Sequence, residues 1–284
     1  CDSVAAGQID AAEQPTVVSR TGSVAVVDGR WGWGHLAGEL AARTAADIAE
    51  DSGVGFVAVR NCNHSGRLGE WVENIAARNL VGIGFLSCGP AVAPLGGLDR
   101  VLGTNPLAIA VPTGGRPVVL DFATAGVAEG KVRVAARAGR RIPEGLVQTA
   151  DGEPTTDPNA FYAGGSILPF GAHKGYGLSV VIQLLGEALT GGGDPQTPRT
   201  VMSNGLVLLA LSPDPVRQQA QFLHLVDECR ARITSSRPVN VDSSILMPGD
   251  IEAHHVAAQR TGHVEVAAEL WNELLRRRER GGAS

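Results

Sequence analysis

Residues 54–87 carry the pattern that most restricts the fold: VGFVAVR, a polar turn, an amphipathic helix, and then VGIGFLS. Val54, Phe56, Val57, Ala58 and Val59 make a short, β-branched apolar run of the kind that is covered on both faces of a sheet. From Leu68 the period changes, and Leu68, Trp71, Val72, Ile75 and Ala76 recur at helical spacing with Glu70, Glu73, Asn74 and Arg78 on the other side. Val81–Ser87 is again a strand, so the passage reads β-α-β and favours parallel pairing of its two strands. Such a unit predicts an α/β protein, in which ligands collect at the carboxyl ends of strands. At that end stands Arg60-Asn61-Cys62-Asn63-His64-Ser65-Gly66. His64 is its titratable group, although a histidine in a polar turn is more often a surface hydrogen-bonding residue.

The flanking sequence extends the pattern. Val24–Val27 reads as a strand and Gly34–Glu50 as a helix closed by Gly53. Gly32, Gly34 and Gly38 lie between them, but the spacing departs from G-x-G-x-x-G. Pro106–Val111 and Pro117–Asp121 form an expected hairpin, which delivers Asp121 to a strand end, and Val127–Ala138 follows as a helix. Gly139–Gly165 is polar and rich in Gly, Pro, Asp and Thr, and is expected to be a long loop serving as a lid or reaching over a neighbouring subunit. Lys174–Thr190 is a strongly apolar helix opened by Gly171-Ala172-His173-Lys174-Gly175, where a helix amino terminus beside a lysine suits an anion. Gly191–Asn204 reads as a second loop, Leu206–Leu211 as a strand and Val216–Ile233 as a helix; Ile251–Gln259 and Val264–Arg280 close the chain. The expected organisation is a remnant of a helical segment over 1–23, an α/β core over 24–247 and terminal helices over 248–284.

Charge and cysteine usage narrow the partners. The formal net charge is −5, and the basic run Arg276–Arg278 is interleaved with Glu273 and Glu279, which argues against nucleic acid. No apolar run is long enough to span a bilayer and no signal peptide is evident, so no membrane partner is expected. Cysteines at 1, 62, 88 and 229 show no C-x-x-C spacing, which fits free thiols and a cytoplasmic location. Cys62 and His64 could form a thiol nucleophile pair, though no orienting partner is identifiable. His254 and His255 diverge as adjacent helix residues, and no metal site is expected.

The segments NCNHSGRLGEW, PAVAPLGGLDRVLGTNPLAIAVPT, VVLDFATAGVAEGKVRVA, EGLVQTADGEPTTDP, LPFGAHKGYGLSVVIQLLGEALTG and MPGD together resemble the malate/L-lactate dehydrogenase type 2 family. That family includes ureidoglycolate, sulfolactate, diketogulonate and cyclic-imine carboxylate oxidoreductases. The resemblance implies a non-Rossmann mixed-sheet core binding NAD or NADP, with helices packed on it and closing helices at the C-terminus. It also implies a homodimer with its active site near the subunit interface. By the same resemblance, cofactor contacts fall on Cys88, on Val119, Leu120, Asp121, Phe122, Ala123, Thr124 and Ala125, on His173 and Lys174, and on Gly249, Asp250 and Ile251. The histidine of the NHxG turn maps onto His64 as proton acceptor.

The implied chemistry is hydride transfer between nicotinamide and a small 2-hydroxy or 2-oxo acid, or a cyclic imine acid. Reduction leaves negative charge on oxygen or nitrogen, which a group titrating near neutrality must protonate, and imidazole does so with little tuning. A substrate carboxylate needs a cation, for which Arg60, Arg67, Lys131 and Arg133 are the candidates. Family members also carry an upstream SHG-type motif, and this sequence opens downstream of it. The alternative expectation is therefore a catalytically silent derivative that binds cofactor or a partner.

Overall fold

A computed structural model describes residues 2–191, 203–259, 262, 266 and 268–281. The core is a seven-stranded mixed sheet in the order β1-β2-β3-β10-β4-β5-β6. Its strands are β1 Thr16–Thr21, β2 Val24–Asp28, β3 Val54–Arg60, β4 Val81–Ser87, β5 Leu107–Val111, β6 Val118–Phe122 and β10 Gly205–Leu211. Only β2 and β3 pair in parallel; every other pair is antiparallel.

The strands predicted around His64 are present, but their pairing differs from expectation. β3 and β4 run in the same direction without touching, because β10 lies between them, antiparallel to both. The inserted strand comes from over a hundred residues downstream, and local periodicity carries no trace of such a partner. β10 is buried almost throughout, which explains its unbroken apolar sequence.

Two helices cover one face: α2 (Gly34–Ser52) and α3 (Leu68–Ala76). The buried side of α2 is mostly alanine, at 37, 41, 42, 45, 46 and 49, so it lies very close to the sheet. A Cβ built on Gly55 of β3 would stand 2.0 Å from the Ala45 carbonyl oxygen. The helix stops at Gly53, in the left-handed region at φ 82°, whose amide caps Ala49 at 2.8 Å. Residues of β4 alternate by the pleat, so Gly82 faces α3 while Ser87 meets α6 (His173–Thr190) on the opposite face.

The segment expected as a long loop carries its own structure. Helix α4 (Glu129–Arg137) precedes a small three-stranded sheet of β7 Val147–Gln148, β8 Pro154–Thr155 and β9 Ser166–Ile167, with the short helix α5 Asn159–Tyr162. Val92, Leu102, Val132, Val147, Phe161 and Ile167 form a second apolar core there. Its strands are only two residues long, too short to leave an alternating pattern. At the amino end, the polar stretch holds the one-turn helix α1 (Asp2–Ala5) and the exposed edge strand β1.

Contacts divide the chain into Cys1–Pro248 and Gly249–Ser284. The second unit contains α8 (Asp250–Gln259) and α9 (Ala268–Gly281), while α7 (Gln219–Thr234) belongs to the first. Most of the loop expected over Gly191–Asn204, and Val264 at the expected start of the last helix, lie outside the described residues. Among the described residues no helix is long and apolar enough to cross a membrane.

Replacing Gly55 by alanine forces the sheet away from α2, since the obstructing atom is backbone. Equilibrium urea unfolding is expected to show a loss of about 2 kcal/mol, within the range for overpacked cores; an unchanged midpoint would contradict the close approach.

Candidate active site

The turn after β3 is held by its buried residues. Asn63, 2% exposed, donates its side-chain amide to the carbonyls of Trp31 (2.8 Å), Gly32 (3.0 Å) and Gln8 (3.2 Å), and its Oδ1 accepts from the Gln8 side chain at 2.7 Å. Ser65, fully buried, donates through its amide and hydroxyl to Oδ1 of Asn204 at 3.1 and 3.4 Å. The Trp71 indole donates to the Ser65 carbonyl at 3.1 Å, and the Asn204 amide donates to that of Cys62 at 2.8 Å. Satisfied polar groups of this kind fix a segment that has no regular secondary structure. From below, α2 brings bare backbone against the turn: a Cβ on Gly34 would lie 2.2 Å from the Asn63 carbonyl oxygen, and one on Gly38 2.5 Å from the Trp71 ring. These glycines serve packing, in keeping with their mismatch to a phosphate-binding fingerprint.

His64, between the two buried residues, is turned outward. The Gly66 amide donates to its Nδ1 at 3.0 Å, which places the proton of the neutral ring on Nε2. Partial burial holds His64 below the ordinary imidazole value, and the charges of His35 and Arg133 push it in the same direction. Protonating Nδ1 would set two N–H groups against each other, so the cation forms only with loss of the Gly66 bond.

Cys62 does not share this environment. It is 1% exposed, its thiol donates to the Asn63 carbonyl at 3.2 Å, and burial pushes it up to about 12. A thiol so hard to ionise is not a nucleophile, and the Cys62–His64 pairing is thereby corrected.

Asp121, near the end of β6, connects the turn to the rest of the site. Its Oδ2 accepts the amide of Gly69 in the first turn of α3 at 2.8 Å and lies 4.0 Å from the Arg67 guanidinium. A carboxylate at this position complements the positive end of the helix. Beyond it, Phe122 packs edge-on against Phe170 with centroids 5.5 Å apart. The Phe170 amide donates to the Thr124 carbonyl at 3.0 Å, and the Gly175 amide donates to that of Phe170 at 3.0 Å. These bonds set the end of β6 beside the start of α6.

The other predicted cofactor contacts divide by exposure. Leu120 is exposed, Phe122 and Ala123 are half-buried, and Val119, Thr124 and Ala125 are buried. The Thr124 hydroxyl donates to the Thr104 carbonyl at 3.1 Å. His173 and Lys174 are exposed, and among the described residues the Lys174 ammonium has no ion pair. The amides of Lys174 and Gly175 are bonded to the carbonyls of Gly171 and Phe170, so the lysine side chain rather than these amides faces outward. Cys88 is half-buried, its thiol 3.3 Å from the Thr104 hydroxyl. Gly249, at φ 90°, Asp250 and Ile251 open the second unit.

One part of the site was missed from sequence. Asn105, completely buried, donates to the Ser179 hydroxyl at 3.1 Å and to Gln183 Oε1 at 2.8 Å, and its own Oδ1 accepts the Cys88 amide at 3.2 Å. The available signal was the pair Ser179 and Gln183, polar residues spaced one turn apart in an otherwise apolar helix.

Among the four candidate cations, Arg60 pairs with Asp28 at 2.9 Å and Arg67 with Glu73 at 2.6 Å. Arg133 pairs with Glu129, which also accepts the Tyr162 hydroxyl at 2.8 Å. Of these four, Arg133 is the one whose charge acts on His64. Among the described residues no group of three or more His, Cys, Asp or Glu side chains could hold a metal ion.

With α/β core, imidazole turn and flanking strand end in place, comparison with known proteins gives the class. The family model for malate/L-lactate dehydrogenase matches residues 1–275. The chain is 35% identical over 283 residues to the L-sulfolactate dehydrogenase of Methanothermobacter thermautotrophicus, covering 96% of this chain and 80% of the relative. The solved sulfolactate dehydrogenase of Methanocaldococcus jannaschii superposes with a TM-score of 0.84 at 35% identity, over 96% of this chain and 80% of that one. The Δ1-piperideine-2-carboxylate reductase of Pseudomonas syringae gives 0.80 at 31% identity, over 95% and 82%. The chain belongs to the malate/L-lactate dehydrogenase family and is an oxidoreductase with the mixed-sheet fold of that family. The family implies a nicotinamide cofactor.

Asn204→Ala removes the acceptor of the buried Ser65 amide. A stability loss of about 1–3 kcal/mol is expected by chemical denaturation, and a variant as stable as the parent would show that the turn is held by other means.

Proposed function

We propose that this protein transfers a hydride between a nicotinamide nucleotide, NAD or NADP, and a small 2-hydroxy or 2-oxo acid or cyclic imine acid, with His64 exchanging the accompanying proton. The observation that carries this reading is the outward His64 ring, fixed by buried neighbours and linked through Arg67 and Gly69 to the Asp121 strand end. Relatives named as dehydrogenases of hydroxy acids and reductases of cyclic imine acids support both substrate classes.

The residues present fit such a nucleotide. Lys174 offers an ammonium for a phosphate at the opening of an 18-residue helix, and the half-buried Phe122 and Ala123 offer an apolar strand end beside it. When bound, the nucleotide supplies or takes the hydride; the protein's part is orientation and proton exchange. In the reductive direction protonated His64 gives its Nε2 proton to the substrate oxygen or nitrogen and keeps the proton on Nδ1; in the oxidative direction that same Nδ1–H tautomer, formed when the Gly66 bond opens, accepts the substrate proton at Nε2. Proton uptake goes with loss of the Gly66 bond, which keeps the resting ring neutral. Arg133 is the best-placed cation for a substrate carboxylate, its guanidinium held by Glu129, which also accepts the Tyr162 hydroxyl.

Cys88, His173 and the residues of the β6 end complete the proposed nucleotide contacts within the first unit, while Gly249, Asp250 and Ile251, cofactor contacts by family resemblance, belong to the second. Exposed Val181, Leu184, Leu185 and Leu189 on α6 support a homodimer, and the free thiols of Cys62, Cys88 and Cys229 support a cytoplasmic setting.

His64→Ala is expected to lower kcat by about two to four orders of magnitude while leaving nucleotide affinity nearly intact; equal loss of both would make the residue structural. Because the fold favours the neutral ring, the acid limb of the oxidation rate is expected below about pH 6.5, with reduction declining as pH rises through the same point. A controlling group titrating above neutrality would exclude His64. Lys174→Ala is expected to weaken nucleotide binding first, and calorimetry giving an unchanged affinity would reject its phosphate role.

A further inference from the structure

A second imidazole stands beside the first. His35 lies on the opening turn of α2, and its ring centroid is 6.4 Å from that of His64, with the planes tilted by 41°. It reaches this position over Gly66: a Cβ built there would fall 2.7 Å from His35 Nε2, and the glycine's φ of 80° disfavours any side chain. The same Gly66 donates its amide to His64 Nδ1. One bare residue thus admits one ring and orients the other. Among the described residues no carboxylate pairs with His35.

We propose that His35 is a positioning residue for proton exchange: it sets the protonation state of His64 across the bare backbone of Gly66. When His35 carries a proton, its charge opposes a second proton on His64 and favours the neutral ring. The charged groups acting on His64 from the elements around it are His35 on α2 and Arg133 on α4, while Arg67 on the approach to α3 is paired with Glu73 and Asp121.

This inference rests on His64 as the proton carrier, so its test reads the ring directly and not through turnover. The full chain, labelled in its histidines, is titrated by NMR, with the His64 signal assigned by its disappearance in His64→Gln. At 6.4 Å the repulsion between two cations is worth about half a pH unit even in water-like surroundings, and more where the pair is desolvated. His35→Gln is expected to raise the His64 midpoint by at least about that amount, and His35→Lys to keep it depressed throughout the range. A His64 midpoint unchanged in His35→Gln overturns the proposal. The acid limb of the oxidation profile is expected to move with the midpoint at constant nucleotide affinity. A midpoint that moves while the profile stays fixed supports the pair but removes His64 from catalysis, which separates failure of the functional reading from failure of this one.

Discussion

His64 is usable because the residues on either side of it are not. Asn63 and Ser65 are buried, and each is hydrogen-bonded to segments remote in sequence: Gln8, Trp31 and Gly32 for the first, Asn204 for the second. A turn outside regular secondary structure has no ladder to fix its backbone, so buried polar side chains take over that function. Breaking any of these bonds leaves a desolvated group without a partner, at a cost of about 1–3 kcal/mol. The imidazole between them inherits a fixed direction. Orientation of this kind is what proton transfer to a bound substrate requires.

The same principle extends outward from the turn. Asp121 fastens the start of α3 to β6, and Phe122 with Phe170 fastens β6 to the start of α6. On the other flank, Asn105 links the Cys88 segment to Ser179 and Gln183 within α6. Histidine turn, strand end and helix start are therefore joined through side chains that do not themselves need to touch substrate. Glycine and alanine on the facing surfaces bring α2 close enough for this to work, and Gly66 is where close approach and hydrogen bonding meet in one residue.

The fold was legible where periodicity is local. The strand ending at Arg60, the helices from Gly34 and Leu68, and the hairpin delivering Asp121 could all be read from spacing. The placement of β10 between β3 and β4 could not, since pairing across more than a hundred residues leaves no mark on either strand. The small sheet over residues 147–167 escaped for the opposite reason: its strands are too short to have a period. In the site, His64 stood out as the titratable residue of its turn, whereas Asn105 did not, because a buried amide is recognised only by the partners that satisfy it. Cys62 shows the converse case. Two residues from His64 in an extended segment, it reads as a possible partner, yet its thiol points into the core. The role of His35 leaves no mark in the sequence, because it depends on the room that Gly66, remote in the chain, leaves for its ring.

On the proposed function, a nicotinamide ring lies between the Asp121 strand end and the start of α6, facing the His64 imidazole. A crystal structure of the protein with a reduced nicotinamide nucleotide tests this most directly. Density is expected for the phosphates at Lys174 and for the nicotinamide beside Phe122 and Ala123, with its reactive carbon on the side of His64. Density elsewhere, or a ring held apart from His64 by intervening protein, would contradict it.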